Sequence, residues 1–209
     1  MSRRLPNVIV VSGPSGAGKS TVLARVLAEM THLRFSVSHT TRPARPGEQE
    51  GVDYHFVEED QFQEMMARDL FLECARVHAH HYGTARTEYD RAEQDGVDLL
   101  LDLDVQGAEQ VRRKFADAVT VFILPPSRRI LERRLRARGQ EEASLQQRLQ
   151  AAAEEMSLYT EYDYAIINDD LARSVESLKA IIRAARARTS RIDVAARAVL
   201  GTFRPNKDE

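Results

Sequence analysis

The sequence predicts an α/β fold: a parallel sheet flanked by helices, carrying a small mixed α/β insertion and a helical flap. Three observations lead there. Short β-branched runs such as "VIVVSG" (Val8 to Gly13) are apolar throughout, as a strand buried on both faces requires. Such runs alternate with stretches of helical periodicity, the order expected of a parallel sheet with crossover helices. Between Phe35 and about Asp90 that rhythm breaks into short strand-like pieces among polar turns. A chain of 209 residues accommodates one such domain with insertions and a real core.

In chain order, the first strand is Val8 to Gly13, and helix-period residues follow from Ser20 to Met30. "FSVS", "DYHF", "FLECA" and "HYGT" read as the short strands of the insertion, with one helix near Asp60 to Arg68. Buried strands resume with "VDLLLDLD" (97–104), "VTVFIL" (119–124) and "YAIIND" (164–169). "RRILERRLRARG" (128–139) and "EEASLQQRLQAAAEEM" (141–156) read as two helices joined by a turn at Gly139, together a mobile flap. A long helix is expected from about Leu171 to Arg191. The predicted division is a core of residues 1–34, 91–126 and 160–209, an insertion of 35–90, and a flap of 127–159.

Lysine and arginine number 30 against 32 aspartates and glutamates, a formal charge of −2. That balance argues against a protein that binds nucleic acid through bulk positive charge. The single cysteine, Cys74, leaves no internal disulfide and suits a reducing cytosol. No apolar run is long enough to span a bilayer, and "MSRRLPNVIVVSG" enters a strand and loop with no signal-peptide pattern. The expectation is a cytoplasmic protein with neither membrane nor nucleic acid as partner. The sequence does not set the oligomeric state and leaves a homodimer open.

"GPSGAGKS" fits G-x-x-x-x-G-K-[ST] between a predicted strand and a predicted helix. Gly13, Gly16 and Gly18, with Pro14, Ser15 and Ala17 between them, let the chain curl so that backbone N–H groups converge on phosphate oxygens. The following helix, entered through Thr21, adds unpaired N–H groups and a partial positive charge. Lys19 reaches the β- and γ-phosphates of a nucleoside triphosphate, and the Ser20 hydroxyl ligates Mg²⁺. This is the phosphate loop of a P-loop NTPase-type sheet. "LLLDLD" supplies carboxylates at the C-terminal end of a buried strand, where open α/β sheets bind ligands. Asp102 and Asp104, two residues apart, are expected on one strand face. Either suits a metal-water or substrate role, and either alone reads equally well as a solvated strand end.

"SHTTRPARPGEQEGVDYHF" (38–56) adds a second set of phosphate-directed groups. Prolines 43 and 46 stiffen the turn that carries Arg42 and Arg45 and fix the guanidinium positions before a ligand arrives. Tyr54 and Tyr82 can donate hydroxyl hydrogen bonds to the same anion. Taken one at a time, these are ordinary surface arginines and half-buried tyrosines. His78, His80 and His81 invite a metal site, but no further ligand has matching spacing, so solvated histidines are the default. Cys74 has no partner base in any motif and reads as a packing residue.

"SGPSGAGKST", "FSVSHTTRPARPGE", "FLE", "YGT", "LDLDVQGA", "PPS", "RLRARG" and "YDYAIINDD" occur in the order and approximate spacing of guanylate kinase, which the chain resembles from about Val8 to Arg191. The arginine-bearing and "YGT" stretches make that resemblance specific, since they are not general P-loop features. It implies Mg²⁺-dependent transfer of the γ-phosphate of ATP to GMP or dGMP, with a core, a GMP-binding insertion and a lid. By that resemblance Arg42, Arg45, Tyr54 and Tyr82 hold the GMP phosphate. Ser38, Glu73 and Thr84 surround the guanine, with Asp104 close to that end of the acceptor site. Arg134, Arg138 and Arg148 match lid arginines that reach the phosphates, and Asn168 matches an asparagine near the adenine. Two departures stand out. The stretch from Arg138 to Arg148 is one residue shorter than the pattern, and "HAHHYGT" replaces a glycine-asparagine-aromatic lead-in. The rival readings are a guanylate-kinase-like peptide-binding module, a kinase for another small phosphate acceptor, and an RNA-binding flap. The intact phosphate loop opposes the first, Glu73 with Ser38 the second, and the negative net charge the third.

Overall fold

The computed structural model describes residues 5–77, 79–137 and 142–203. β1 (Val8–Ser12) runs into the glycine-rich loop and then α1 (Lys19–Glu29). β2 (Leu33–Phe35), β3 (His39–Thr40) and β4 (His55–Phe56) follow, then α2 (Glu59–Ala67), β5 (Phe71–Val77), β6 (His80–Ala85) and α3 (Arg86–Asp95). β7 (Asp98–Asp102), α4 (Val105–Lys114) and β8 (Val119–Leu124) come next, then α5 (Arg128–Arg136), α6 (Glu142–Ser157), β9 (Tyr164–Ile167), α7 (Leu171–Arg186) and α8 (Thr189–Gly201).

The strands form two sheets. Five pair in parallel in the order β2-β7-β1-β8-β9, and four form a mixed sheet in the order β4-β3-β6-β5. β1 lies at the centre of the parallel sheet and is buried throughout. Its alternate residues serve opposite faces: Ile9 and Val11 pack with Val22 and Val26 of α1 and Leu178 and Ile182 of α7. Val8 and Val10 pack with Ala108 and Val111 of α4 and Leu72 of β5. The continuously apolar runs of the sequence are thus strands covered on both sides by helices. α5 and α6 hold together through a separate apolar cluster of Leu131, Leu135, Leu145, Leu149 and Ala152.

The structure corrects the sequence reading at several places. Leu33–Phe35 joins the parallel sheet as an edge strand against β7, so "FSVS" is not a strand of the mixed sheet. A second helix, α3, precedes β7 and was not read from the sequence. "YAIIND" is a sheet edge rather than a buried strand: Tyr164 and Ile167 are exposed, and pairing stops at Ile167. β7 ends at Asp102, and Asp104 is the N-cap of α4, its Oδ1 accepting from Gly107 N at 2.8 Å. Capping an orphan helix donor takes Asp104 out of the strand, so it does not share a strand face with Asp102. The expected helix from Leu171 to Arg191 breaks after Arg186. Arg186 reaches back to Asp98 and to the carbonyls of Thr31 and His32, while Arg188 donates to Asp117 O. These ties hold the chain against the base of the sheet and turn it before α8. The turn expected at Gly139 lies outside the described residues.

Asp98 carries the most concentrated polar network of the core. It is 1% exposed and accepts from Asn7 N (3.0 Å), Asn7 Nδ2 (2.7 Å) and Arg186 Nε (2.6 Å). It joins β1's approach, the start of β7 and the end of α7. Asp98→Ala leaves a guanidinium and a buried amide without their acceptor and is expected to cost about 3–5 kcal/mol. The check is a denaturant melt, in which the midpoint falls while the slope stays unchanged.

Candidate active site

The glycine-rich loop joins the C-terminal end of β1 to α1, at the centre of the parallel sheet, where such sheets bind ligands. α1 starts from Gly18, whose φ of 93° is costly for any side chain, and a Cβ there would stand 2.3 Å from Asn168 Nδ2. No acidic residue sits in the first turn of α1 to answer its free N–H groups. Those groups are left free to receive an anion. Lys19 is held by Asp102, with Nζ 2.6 Å from Oδ1, and donates to Leu103 O at 3.3 Å.

The mixed sheet presents the second set. Arg42 donates from Nη2 to Glu48 Oε1 (2.9 Å), from Nη1 to Pro43 O (2.7 Å) and from Nε to Tyr82 OH (3.3 Å). Its guanidinium also lies over the Tyr54 ring, 5.4 Å from the centroid. Glu48 Oε2 accepts from Arg45 N at 2.8 Å, so one carboxylate fixes both the Arg42 side chain and the Arg45 turn. The Arg42 guanidinium holds the Glu48 carboxyl below its usual range.

Glu73 is a carboxylate in a buried place, 4% exposed. Its Oε1 accepts from Thr84 N at 2.8 Å, and the Thr84 hydroxyl lies 3.3 Å from that of Ser38. Gly107 makes room for it: a Cβ at that point of α4 would lie 2.5 Å from Glu73 Oε2. Burial pushes the Glu73 carboxyl up to about 7; Thr84 and Lys114 oppose the rise, and Asp104 adds to it. The ligand-free protein therefore holds the Glu73 carboxyl poised near neutral pH.

One cavity of about 380 Å³ takes in both sets. Gly13, Pro14, Ser15, Gly16, Gly18, Lys19 and Ser20 line one side, with Asp102 and Asp104 beside them. Ser38, Arg42, Arg45, Tyr54, Glu73 and Tyr82 line the other. Thr84 is fully buried behind Glu73. A second cavity of about 430 Å³ lies across the loop, lined by Gly16, Gly18, Thr21, Arg134 and Asn168 among others. There Asn168 Nδ2 and Arg134 Nη1 both donate to Ala17 O, at 2.8 and 2.9 Å. Arg148 sits half-buried on α6 and lines neither cavity, and Arg138 falls outside the described residues.

Sequence reasoning missed three residues. Glu48 stood in the quoted "RPGE" with no role, although a carboxylate beside two fixed arginines is itself a signal. Gly107, a glycine inside a helix, signals a close approach. Gln110, the third, pairs with the backbone of Cys74. Of the histidines, His81 pairs with Glu59 (2.9 Å) and stacks on Phe62, and His78 lies outside the described residues. No group of three or more His, Cys, Asp or Glu side chains among the described residues could hold a metal ion. The Cys74 thiol is pushed up by burial and by Glu73, the opposite of a reactive thiolate. Among the described residues, no helix is long and apolar enough to cross a membrane.

The guanylate kinase family model matches residues 5–185. A curated guanylate kinase of Methylobacillus flagellatus is 49% identical over 183 residues, 87% of this chain and 91% of that one. The guanylate kinase of Escherichia coli (strain K12) is 50% identical over 185 residues, 87% and 89% of the two chains. Among solved structures, a guanylate kinase from Anaplasma phagocytophilum superposes with a TM-score of 0.76 at 34% identity, over 90% of each chain. Matched along most of its length by that family and its members, the chain belongs to the guanylate kinase family.

Proposed function

We propose that this chain transfers the γ-phosphate of ATP to GMP or dGMP, yielding ADP and the nucleoside diphosphate, as a cytoplasmic enzyme of purine nucleotide metabolism. The observation that carries the reading is the shared cavity: a phosphate loop on one wall faces two arginines, two tyrosines and a buried carboxylate on the other.

The acceptor phosphate is anionic at neutral pH, so no general base is needed. One of its oxygens forms a bond to the γ-phosphorus as the bond from that phosphorus to the β,γ-bridging oxygen breaks, and ADP carries the electron pair away. The obstacle is repulsion between two polyanions. Arg42 and Arg45, with the Tyr54 and Tyr82 hydroxyls, hold the acceptor phosphate, and Glu48 keeps Arg42 aimed before it arrives. Lys19 exchanges Asp102 for phosphate oxygens. Arg134, Arg138 and Arg148 take up charge on the transferred group, and Asn168 with Thr21 lies toward the adenosine end. The insertion (35–90) and the lid (127–159) close over the core and exclude water. The donor set suits Mg²⁺ that arrives with the nucleotide. Ser20 and Asp102 supply hard oxygens on the same cavity, and Mg²⁺ takes few protein ligands, keeping water and phosphate for the rest. Ser20 and Asp102 would hold it there, where it would supply neutralising charge to the phosphates.

A coupled assay with ATP against GMP, dGMP, AMP, CMP and UMP tests the reading, which fails if GMP is not the preferred acceptor. Lys19→Ala is expected to abolish transfer with an unchanged melting temperature; near-normal turnover in the folded variant would overturn the mechanism. Arg42→Ala and Arg45→Ala each lose charge-assisted hydrogen bonds of about 1.5–3 kcal/mol, roughly tenfold or more in acceptor use. ATP affinity stays within a few fold, and separate titrations with the two nucleotides decide it.

Base choice rests on Glu73, whose carboxylate accepts from the ring N–H and the exocyclic amine of guanine, while adenine offers a bare acceptor there. Glu73→Gln is expected to weaken GMP use strongly and narrow the GMP-to-AMP ratio of kcat/KM. Guanine selects the ionised form of a group whose ligand-free pKa is about 7. Raising the pH from 6 to 8 removes a bound proton that opposes binding, so GMP affinity rises about tenfold. The GMP phosphate also titrates in this range, and Glu73→Gln retains that part alone. The Glu73 contribution is the difference between the two pH profiles.

A further inference from the structure

β5, which carries Glu73, is the edge strand of the mixed sheet, with β6 on one side only. Its other edge faces α4, a helix that starts directly after β7 of the parallel sheet. An uncovered edge leaves backbone donors and acceptors unpaired. Here side chains of α4 take the place of a neighbouring strand. Gln110 Oε1 accepts from Cys74 N at 3.1 Å, and Gln110 Nε2 donates to Cys74 O at 2.7 Å. Lys114 Nζ donates to Leu72 O at 2.6 Å. Gly107 opens the space that the Glu73 carboxylate fills. Residues 107, 110 and 114 lie three and four apart and so share one helical face. Along that face Gly107 meets Glu73, Gln110 meets Cys74 and Lys114 meets Leu72.

We propose that Gln110 is a positioning residue for base selection: its amide acts as a two-bond surrogate strand that fixes the register and height of Glu73 against α4. The inference rests on the reading of Glu73 as the guanine-selecting group. The mechanism follows from geometry. Both of Gln110's bonds go to the residue next to Glu73, one from its N–H and one to its C=O, the two groups a neighbouring strand would pair. They stop β5 from sliding or lifting off the helix by the fraction of an ångström that separates two hydrogen bonds to guanine from one. Leu72, buried against Ala108 and Val111, supplies adhesion without direction. Gln110 supplies the direction.

The test is steady-state kinetics of Gln110→Met, which keeps length and removes both bonds, and Gln110→Glu, which keeps the acceptor and removes the donor. Wild type and Glu73→Gln are assayed beside them. The expected result for Gln110→Met is a rise of about tenfold in the KM for GMP and a fall of similar size in the GMP-to-AMP ratio of kcat/KM. The KM for ATP stays within about twofold, and Gln110→Glu shows a smaller change of the same sign. A purely structural residue lowers the melting temperature without moving the GMP-to-AMP ratio. An unchanged ratio in both Gln110 variants, where Glu73→Gln collapses it, overturns the positioning role and leaves the guanine site standing. A wild-type enzyme without GMP preference, or a Glu73→Gln variant with an unchanged ratio, instead overturns the reading beneath it. If neither Gln110 variant folds, amide hydrogen exchange in wild type decides. Strong protection of the Cys74 amide before GMP is added supports the clamp, and free exchange overturns it.

Discussion

The pairing of β2 with β7 sets the geometry of everything else. The chain leaves the parallel sheet at Phe35 and returns to it at Asp98, and these two strands lie side by side in parallel register, Leu33 against Asp98 and Phe35 against Leu100. The whole excursion between them is tied at both ends to the same edge of one sheet. Its strands face the C-terminal ends of β1 and β7, where the phosphate loop lies, across one cavity. Asp98, locked to Asn7 and Arg186, holds the return point. Two phosphate-directed surfaces thus face one cavity because a three-residue strand finds its place in a sheet already built.

Within the cavity, the phosphate-directed cations are not left bare. Lys19 rests on Asp102, and Arg42 rests on Glu48. Each pairing holds a long side chain in one conformation at modest cost, so less entropy is lost when phosphate arrives. The carboxylates differ in what else they hold. Asp102 touches Lys19 alone of the two cations, while Glu48 also grips the Arg45 backbone and so shapes the turn.

Most of the parallel sheet was legible because its strands are buried on both faces and read as unbroken apolar runs. The phosphate loop was legible because its spacing is dictated by phosphate itself. Reading failed where tertiary contacts override local pattern. Leu33–Phe35 is too short to announce itself, and only β7 makes it a strand. Arg186 and Arg188 end α7 through partners on β7 and at Asp117, which no periodicity in "AARARTS" reveals. Asp104 looks like strand from its neighbours and is a cap by virtue of Gly107. Of the site, most charged groups could be named from the sequence, Glu48 excepted, and the resemblance to one family gave them expected roles. The protonation balance of Glu73 could not be named, because it comes from burial, and burial belongs to the fold.

Gly107 has a consequence for how such a chain can change. A glycine in the first turn of a helix is poorer than alanine by up to about 1 kcal/mol, so helix propensity alone favours replacing it. The replacement puts a methyl group where the Glu73 carboxylate sits, 2.5 Å from Oε2. A more robust helix therefore comes at the expense of the space that Glu73 occupies. Whatever helix propensity a side chain adds at 107 is set against displacing a buried carboxylate, so the gain expected of an isolated helix is not available in this fold. The helix is kept weaker than it could be so that a carboxylate from another sheet can lie against its backbone.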